Sequence, residues 1–121
     1  MGSQKQRRNY SAQCDALAGK ICRSAGRCHI CGSTEFIQWA HGIPRSYRAT
    51  RWDSRNCWPL CRSCHVYYTH RPLEWREWML AEMGEELFSE LSALALSHAR
   101  PDLPSLLAEL KARWAELEHA S

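Results

Sequence analysis

No stretch of the chain approaches the ~18 consecutive apolar residues that a membrane-spanning helix needs. No membrane partner is therefore expected. The basic start, Met1 to Arg8, has no apolar segment behind it, so the pattern of a secretory signal is missing. Carboxylates are scarce in the front half. Residues 1–71 hold 3 Asp or Glu against 12 Lys or Arg, whereas residues 72–121 hold 10 against 4. A net charge of +3 thus hides a basic front of +9 and an acidic back of −6. A basic, cysteine-rich front half points to a polyanion, most simply nucleic acid. The acidic back half must face away from phosphates or serve self-association. Internal repeats and low-complexity tracts are absent. The 121 residues are one domain's worth of chain, with a core small enough for a metal staple to matter.

Cysteine is what the chain does have. There are seven, an odd number that fits a secreted disulfide framework poorly. A reducing compartment suits them better, and a cytoplasmic protein is expected. Four fall in two Cys-x-x-Cys pairs, Cys28/Cys31 and Cys61/Cys64. Such a turn presents two thiolates at once, and zinc takes four in a tetrahedron. A structural Zn on Cys28, Cys31, Cys61 and Cys64 is the expectation. A redox Cys-x-x-Cys belongs at a strand-to-helix junction of an α/β chain, and nothing else here reads that way. Cys57 is a competing ligand by spacing, but is expected to be a buried thiol like Cys14 and Cys22.

The local patterns predict a mixed chain. Residues 1–9 read as a basic flexible arm. A helix is expected over 10–25, ended by Gly26. Residues 35–41 mix β-branched and aromatic side chains and predict a strand. A loop over 42–50 and a turn over 52–56 lead to a short extended piece, 57–60. Helices are expected over 62–70, 73–83 and 85–98, with Pro72 opening the second and Gly84 parting the second from the third. Pro101 to Pro104 reads as a linker. A last amphipathic helix over 105–118 carries Leu106, Leu107, Leu110, Trp114 and Leu117 on one face.

Between and beside the cysteine pairs lie His41, Asn56 and His65. Phosphodiester hydrolysis needs a water made nucleophilic and a cation on the phosphate. A His titrates near neutral pH and suits a general base, which gives His41 that role. His65, fixed directly after the second pair, can ligate a catalytic Mg or Mn. Asn56 can orient the base or pin its loop. A zinc held by four thiolates is closed and takes no part in the chemistry. Arg45, Arg48, Arg51 and Arg62 are the expected DNA contacts, with Arg55 and Arg71 nearby, and Arg45 is the first choice for the scissile phosphate.

These residues, in this order and between zinc pairs, resemble the HNH endonucleases of the zinc-bearing ββα-metal (His-Me finger) type. The segments Gln38 to Arg45 and Ala49 to Asn56, followed by Pro72 to Trp75 and Gly84-Glu85, look closest to the NinG/Rap-like phage recombination nucleases. The resemblance covers about residues 20–98. It implies an α+β fold: a ββα-metal core with a four-cysteine zinc site, an N-terminal helix and C-terminal helices. The boundaries expected are a core over 10–71 and a helical extension over 72–121, which packs on the core or forms a homodimer. The resemblance also implies DNA as substrate, a 5′-phosphate on one product, His41 as base, Asn56 as orienting residue and His65 as metal ligand. There are two departures. The NinG-like proteins often carry Asn after the second cysteine pair, where this chain has His65, the more general HNH form; the other bears on activity. Many HNH proteins carry a metal ligand just before the base, and here that position is Ala40. His70 and Asp53 are the substitutes on offer. The expected function is metal-dependent DNA cleavage, with branched phage DNA as a substrate class. The alternative is a zinc-stapled DNA-binding module with a degenerate site. A weaker third reading is a protein-interaction adaptor built on the C-terminal helices.

Overall fold

The computed structural model describes residues 3–120. The first helix, α1 (Gln4–Arg23), starts well before the expected position. Its cause is local: the Ser3 hydroxyl accepts from the Gln6 amide at 3.2 Å, and the Ser3 amide donates to Gln6 Oε1 at 2.9 Å. This reciprocal cap satisfies two otherwise orphan donors. Residues 4–9, expected as a flexible arm, are therefore helical; Met1 and Gly2 lie outside the described residues.

Strand β1 (Ile37–His41) pairs antiparallel with β2 (Cys57–Cys61). The register sets Ile37 opposite Cys61, Trp39 opposite Pro59 and His41 opposite Cys57. The loop between them holds a four-residue helix, α2 (Arg48–Arg51), and a single 3-10 turn at Ser54–Asn56. Helix α3 (Arg62–Thr69) follows β2 without a break, and Cys61 is both the last strand residue and the helix cap. Strand, strand and helix make the expected ββα unit.

Pro72 opens α4 (Pro72–Leu96), where its missing N–H costs nothing. Gly84 divides α4 at φ 84° and ψ 160°, a backbone setting that side-chain-bearing residues rarely adopt. Helix α5 (Leu103–Ala120) closes the chain.

Two apolar clusters flank the hairpin. In one, Cys14 and Ala18 of α1 pack with Trp52 and with Leu103, Leu107 and Leu110 of α5. The last helix is thus laid along the first, and burying each such Leu contributes about 1.5–3 kcal/mol. In the other, Ala40, Trp58, Leu60 and Cys61 of the sheet and Cys28 meet Met79, with Trp75 and Trp78 against them. The Trp75 and Trp78 rings stack at 5.0 Å and 4°. The expected α+β architecture, with an N-terminal helix, a hairpin feeding a helix and C-terminal helices, is observed.

Candidate metal centre and catalytic cleft

All four sulfurs of Cys28, Cys31, Cys61 and Cys64 lie within 4.8 Å of one another. A tetrahedron of thiolates at the usual Zn–S distance has S–S edges of ~3.8 Å, and Cys31 and Cys61 already stand 3.6 Å apart. No cysteine of the chain is in a disulfide. The first pair is folded into a knuckle by Gly32 N–H to Cys28 O at 3.0 Å and Cys28 N–H to Ser33 O at 2.8 Å. The knuckle is docked on β2 by His29 N–H to Pro59 O at 2.8 Å. The second pair sits on the strand-to-helix junction, where the Cys64 amide faces Cys61 Sγ at 3.5 Å.

Burial opposes ionisation of Cys28, but backbone groups of Cys31, Cys61 and Ile30 outweigh it and bring the thiol down to about 6. Burial drives Cys64 the other way, helped by the sulfurs of Cys61, Cys31 and Cys28. Four thiols crowded together cannot all ionise unaided, and a dication removes that conflict. The donor set and spacing fit a structural zinc. Cys57 stands outside the cluster. It is partly exposed, and its thiol caps the Ser54 carbonyl at 3.7 Å.

One face of the ββα unit opens into a cleft of about 450 Å³, lined among others by His41, His65, Arg45, Trp39, Tyr68 and Trp75. Two of the three expected site residues, His41 and His65, therefore meet at one opening. Asn56 lies behind it, fully buried. Its Oδ1 accepts from Ile43 N at 2.7 Å, and its Nδ2 donates to Ile43 O at 3.1 Å and to Thr50 O at 3.0 Å. Asn56 thus ties down the loop that follows His41. Gly42 makes this approach feasible: a Cβ there would meet Met79 Sδ at 2.7 Å and Asn56 Oδ1 at 2.9 Å.

His41 Nε2 stands 2.9 Å from the Arg51 carbonyl. A carbonyl only accepts, so Nε2 carries the proton and Nδ1 keeps the lone pair. Burial is the leading influence and lowers the pKa of His41 below the ordinary 6.5; the Arg45 and Arg51 charges push the same way, against the Arg51 carbonyl and Asp15. The ring is neutral at pH 7 and able to take a proton. His65 Nδ1 faces Gln38 Oε1 at 2.7 Å, which leaves Nε2 with its lone pair. Burial lowers the pKa of His65 as well.

Asp15 is a residue the sequence reading missed. Its carboxylate accepts from Arg51 twice, from Arg45 at 3.0 Å and from the Trp52 indole at 2.8 Å. The Arg51 side chain is consequently only 15% exposed, whereas Arg45 remains 58% exposed. The scarcity of carboxylates in the front half was the available signal, since any acid there has many arginines to serve. Asp53 is taken by Arg55, at 2.7 and 3.0 Å. Burial opposes the ionised form of Asp53, but the Arg55 bonds prevail and lower its pKa. Neither Asp53 nor His70 lines the cleft, so neither fills the position left by Ala40. Arg48 reaches the Ser11 hydroxyl at 3.4 Å, and Arg62 is exposed on α3. Gln38 and Trp75 were also missed; the Trp75 indole donates to Gly42 O at 3.1 Å.

No family model matches this chain, and no significant match is found among curated proteins or solved structures. What stands is a small α+β domain with a four-cysteine metal-binding cluster and a ββα-like sheet–helix arrangement.

Proposed function

We propose that this chain is a zinc-stapled module that acts on DNA, and that the His41 cleft is a phosphodiester-hydrolysing centre of the HNH type. One observation carries the reading. His41 and His65 line the same cleft, and each has one ring nitrogen spent on a fixed acceptor. Each therefore offers the other nitrogen as a base or ligand. The Gln38 contact on His65 is the outer hydrogen bond that metal-ligating histidines usually make. In this reading a neutral His41 takes the proton of the attacking water. His65 would hold a Mg or Mn ion, whose charge would stabilise the leaving oxygen. Asn56 positions His41 through the loop it pins. Arg45, exposed at the cleft, draws in the scissile phosphate. Branched recombination intermediates are the substrate class that the sequence resemblance suggests.

A second reading, a DNA-binding zinc module without catalysis, has its own observations. Ala40 supplies no ligand. Among the described residues, the four cysteines are the one cluster of three or more metal-binding side chains. That makes the non-catalytic module at least as consistent with the donor set.

The experiment that separates them incubates the zinc-loaded protein with supercoiled plasmid and with a four-way junction, in Mg, Mn or EDTA. Cleavage in a divalent ion, absent in EDTA, is expected. DNA binding without cleavage under either ion would establish the second reading instead.

A further inference from the structure

Three cysteines take no part in the metal cluster: Cys14, Cys22 and Cys57. Cys14 is wholly buried. Cys22, in the last turn of α1, and Cys57, at the start of β2, are each partly exposed. Both line one cavity of about 180 Å³, with Ala18, Trp52, Leu110 and Arg113 around them. The two thiols meet there: the Cys22 S–H donates to the Cys57 sulfur. That bond is the leading reason that the Cys57 pKa lies below the ordinary thiol value and the Cys22 pKa above it. Burial opposes the lowering at Cys57, whereas the Trp39 indole and the Arg113 charge assist it. The Trp39 indole N–H is buried and, among the described residues, has no other partner. The Ser54 carbonyl, 3.7 Å from the Cys57 sulfur, is a weak acceptor for a thiol and is given up at little cost.

One sulfur is thus poised as a nucleophile, and a protonated one stands beside it at an opening to solvent. Such a pair is a redox dithiol, in which an oxidised first sulfur is resolved by the second. The place of Cys22 in the last helical turn, where a backbone shift is least costly, lets the two sulfurs close to bonding distance. Neither cysteine belongs to the metal cluster, so the bond leaves its four sulfurs in place.

We propose that Cys22 and Cys57 are an oxidation site, closed by a hydroperoxide into a reversible disulfide that ties α1 to the hairpin. The Cys57 thiolate attacks one peroxide oxygen and the O–O bond breaks. The other oxygen leaves with the proton that Cys57 gave up, as water or an alcohol, and Cys57 becomes a sulfenic acid. The Cys22 sulfur then attacks the Cys57 sulfur and the S–O bond breaks. The hydroxyl leaves as water with the Cys22 proton. The two thiols lose two electrons and two protons, and the peroxide gains both. Oxidation of Cys57 also removes the hydrogen bond that chiefly keeps Cys22 protonated, which readies the second thiol for its step. Cys57 pairs with His41 in the hairpin, so the bond is made beside the cleft, but the proposal rests on neither functional reading above.

The test treats zinc-loaded wild type, Cys22→Ser and Cys57→Ser with a small excess of hydrogen peroxide. Free thiols are then blocked with iodoacetamide and peptides mapped by mass spectrometry. Dimedone traps sulfenic acid, and a chromogenic chelator reads released zinc. In wild type the peptides joined through Cys22 and Cys57 are expected as the first product, with zinc retained, and dithiothreitol should restore both thiols. Cys22→Ser should accumulate about tenfold more dimedone label on Cys57 than wild type, because the resolving thiol is gone. Cys57→Ser should leave Cys22 reduced. Oxidation that begins at the zinc cysteines and releases the metal overturns the site. So does peroxide treatment that leaves Cys22 and Cys57 of wild type both free. Equal dimedone label on Cys57 in wild type and Cys22→Ser shows that Cys22 resolves nothing, and overturns the pair.

Discussion

Asn56 and Ile43 exchange two hydrogen bonds across thirteen residues of chain. The Ile43 amide donates to Asn56 Oδ1 at 2.7 Å, and Asn56 Nδ2 donates back to the Ile43 carbonyl at 3.1 Å. A carboxamide is the side chain that can accept and donate in this way at one place. With the further bond to Thr50 O at 3.0 Å, one buried side chain sets both ends of the loop that follows His41.

Asn56→Ala therefore strands one backbone donor and two acceptors. The expected loss is about 2–4 kcal/mol, since each unpaired buried group costs ~1–3 kcal/mol and the loop relaxes in part. Asn56→Asp should be no rescue, because a carboxylate would face two carbonyl oxygens. Urea melts of both variants measure this; wild-type stability in either would remove the pinning role.

The cysteine cluster predicts one equivalent of zinc per chain, measured by metal analysis of protein purified under reducing conditions. Cys61→Ser should lose both the metal and the thermal transition, because Cys61 ends β2 and caps α3 as well as offering a sulfur. Cys14→Ser should keep its zinc. Burial and the Asp15 charge push the Cys14 thiol up to about 11, and Cys14 packs from α1 against α5, outside the four-cysteine cluster. Full zinc in Cys61→Ser would contradict the assignment.

How much of this was legible in the sequence follows from how local each signal is. The cysteine pairs and the His41, Asn56, His65 order could be read because chemistry fixes their spacing. The early start of α1 is written in Ser3 and Gln6, a capping pair, but the run of basic residues around it has the composition of a loose arm and hides the signal. Strand β1 begins at Ile37 rather than Glu35 because Phe36 takes φ 51°, outside the strand region. Helix α2 spans only four residues, too few for a period to show. The Asp15 hub joins residues 30 to 37 apart in the chain, and no local pattern carries such a contact.

Asp15→Asn tests that hub. The side chain keeps its shape and loses the charge that holds Arg51 and Arg45. A loss of about 1–3 kcal/mol is expected, in the range of hydrogen bonds to charged groups. DNA affinity at low salt should not fall, because the exposed Arg45 is released toward phosphate. A large drop in affinity would mean that Asp15 orders the arginines for DNA rather than holding them back.

Acid should destabilise the fold through its histidines. His41 and His65 both sit below the ordinary 6.5 when folded, chiefly through burial. The unfolded chain then binds their protons more tightly. Their contribution to stability is complete above pH 6.5 and is lost as the pH falls through 6.5 toward the folded values. Urea midpoints of wild type and His41→Gln, taken from pH 7.5 to 5, read this directly. The wild-type midpoint should fall more steeply. Parallel curves would show that His41 is not held neutral by the fold.

The most direct measurement is the cleavage rate of His41→Ala against wild type, on the same DNA, in Mg or Mn, with binding followed in parallel. Wild type should cleave, removal of the general base should cost about 10²–10⁴-fold, and DNA affinity should be nearly unchanged. Equal cleavage by the two proteins would contradict His41 as the base. Bound DNA left intact by both would make the cleft a binding surface and the chain a zinc-stapled DNA-binding module.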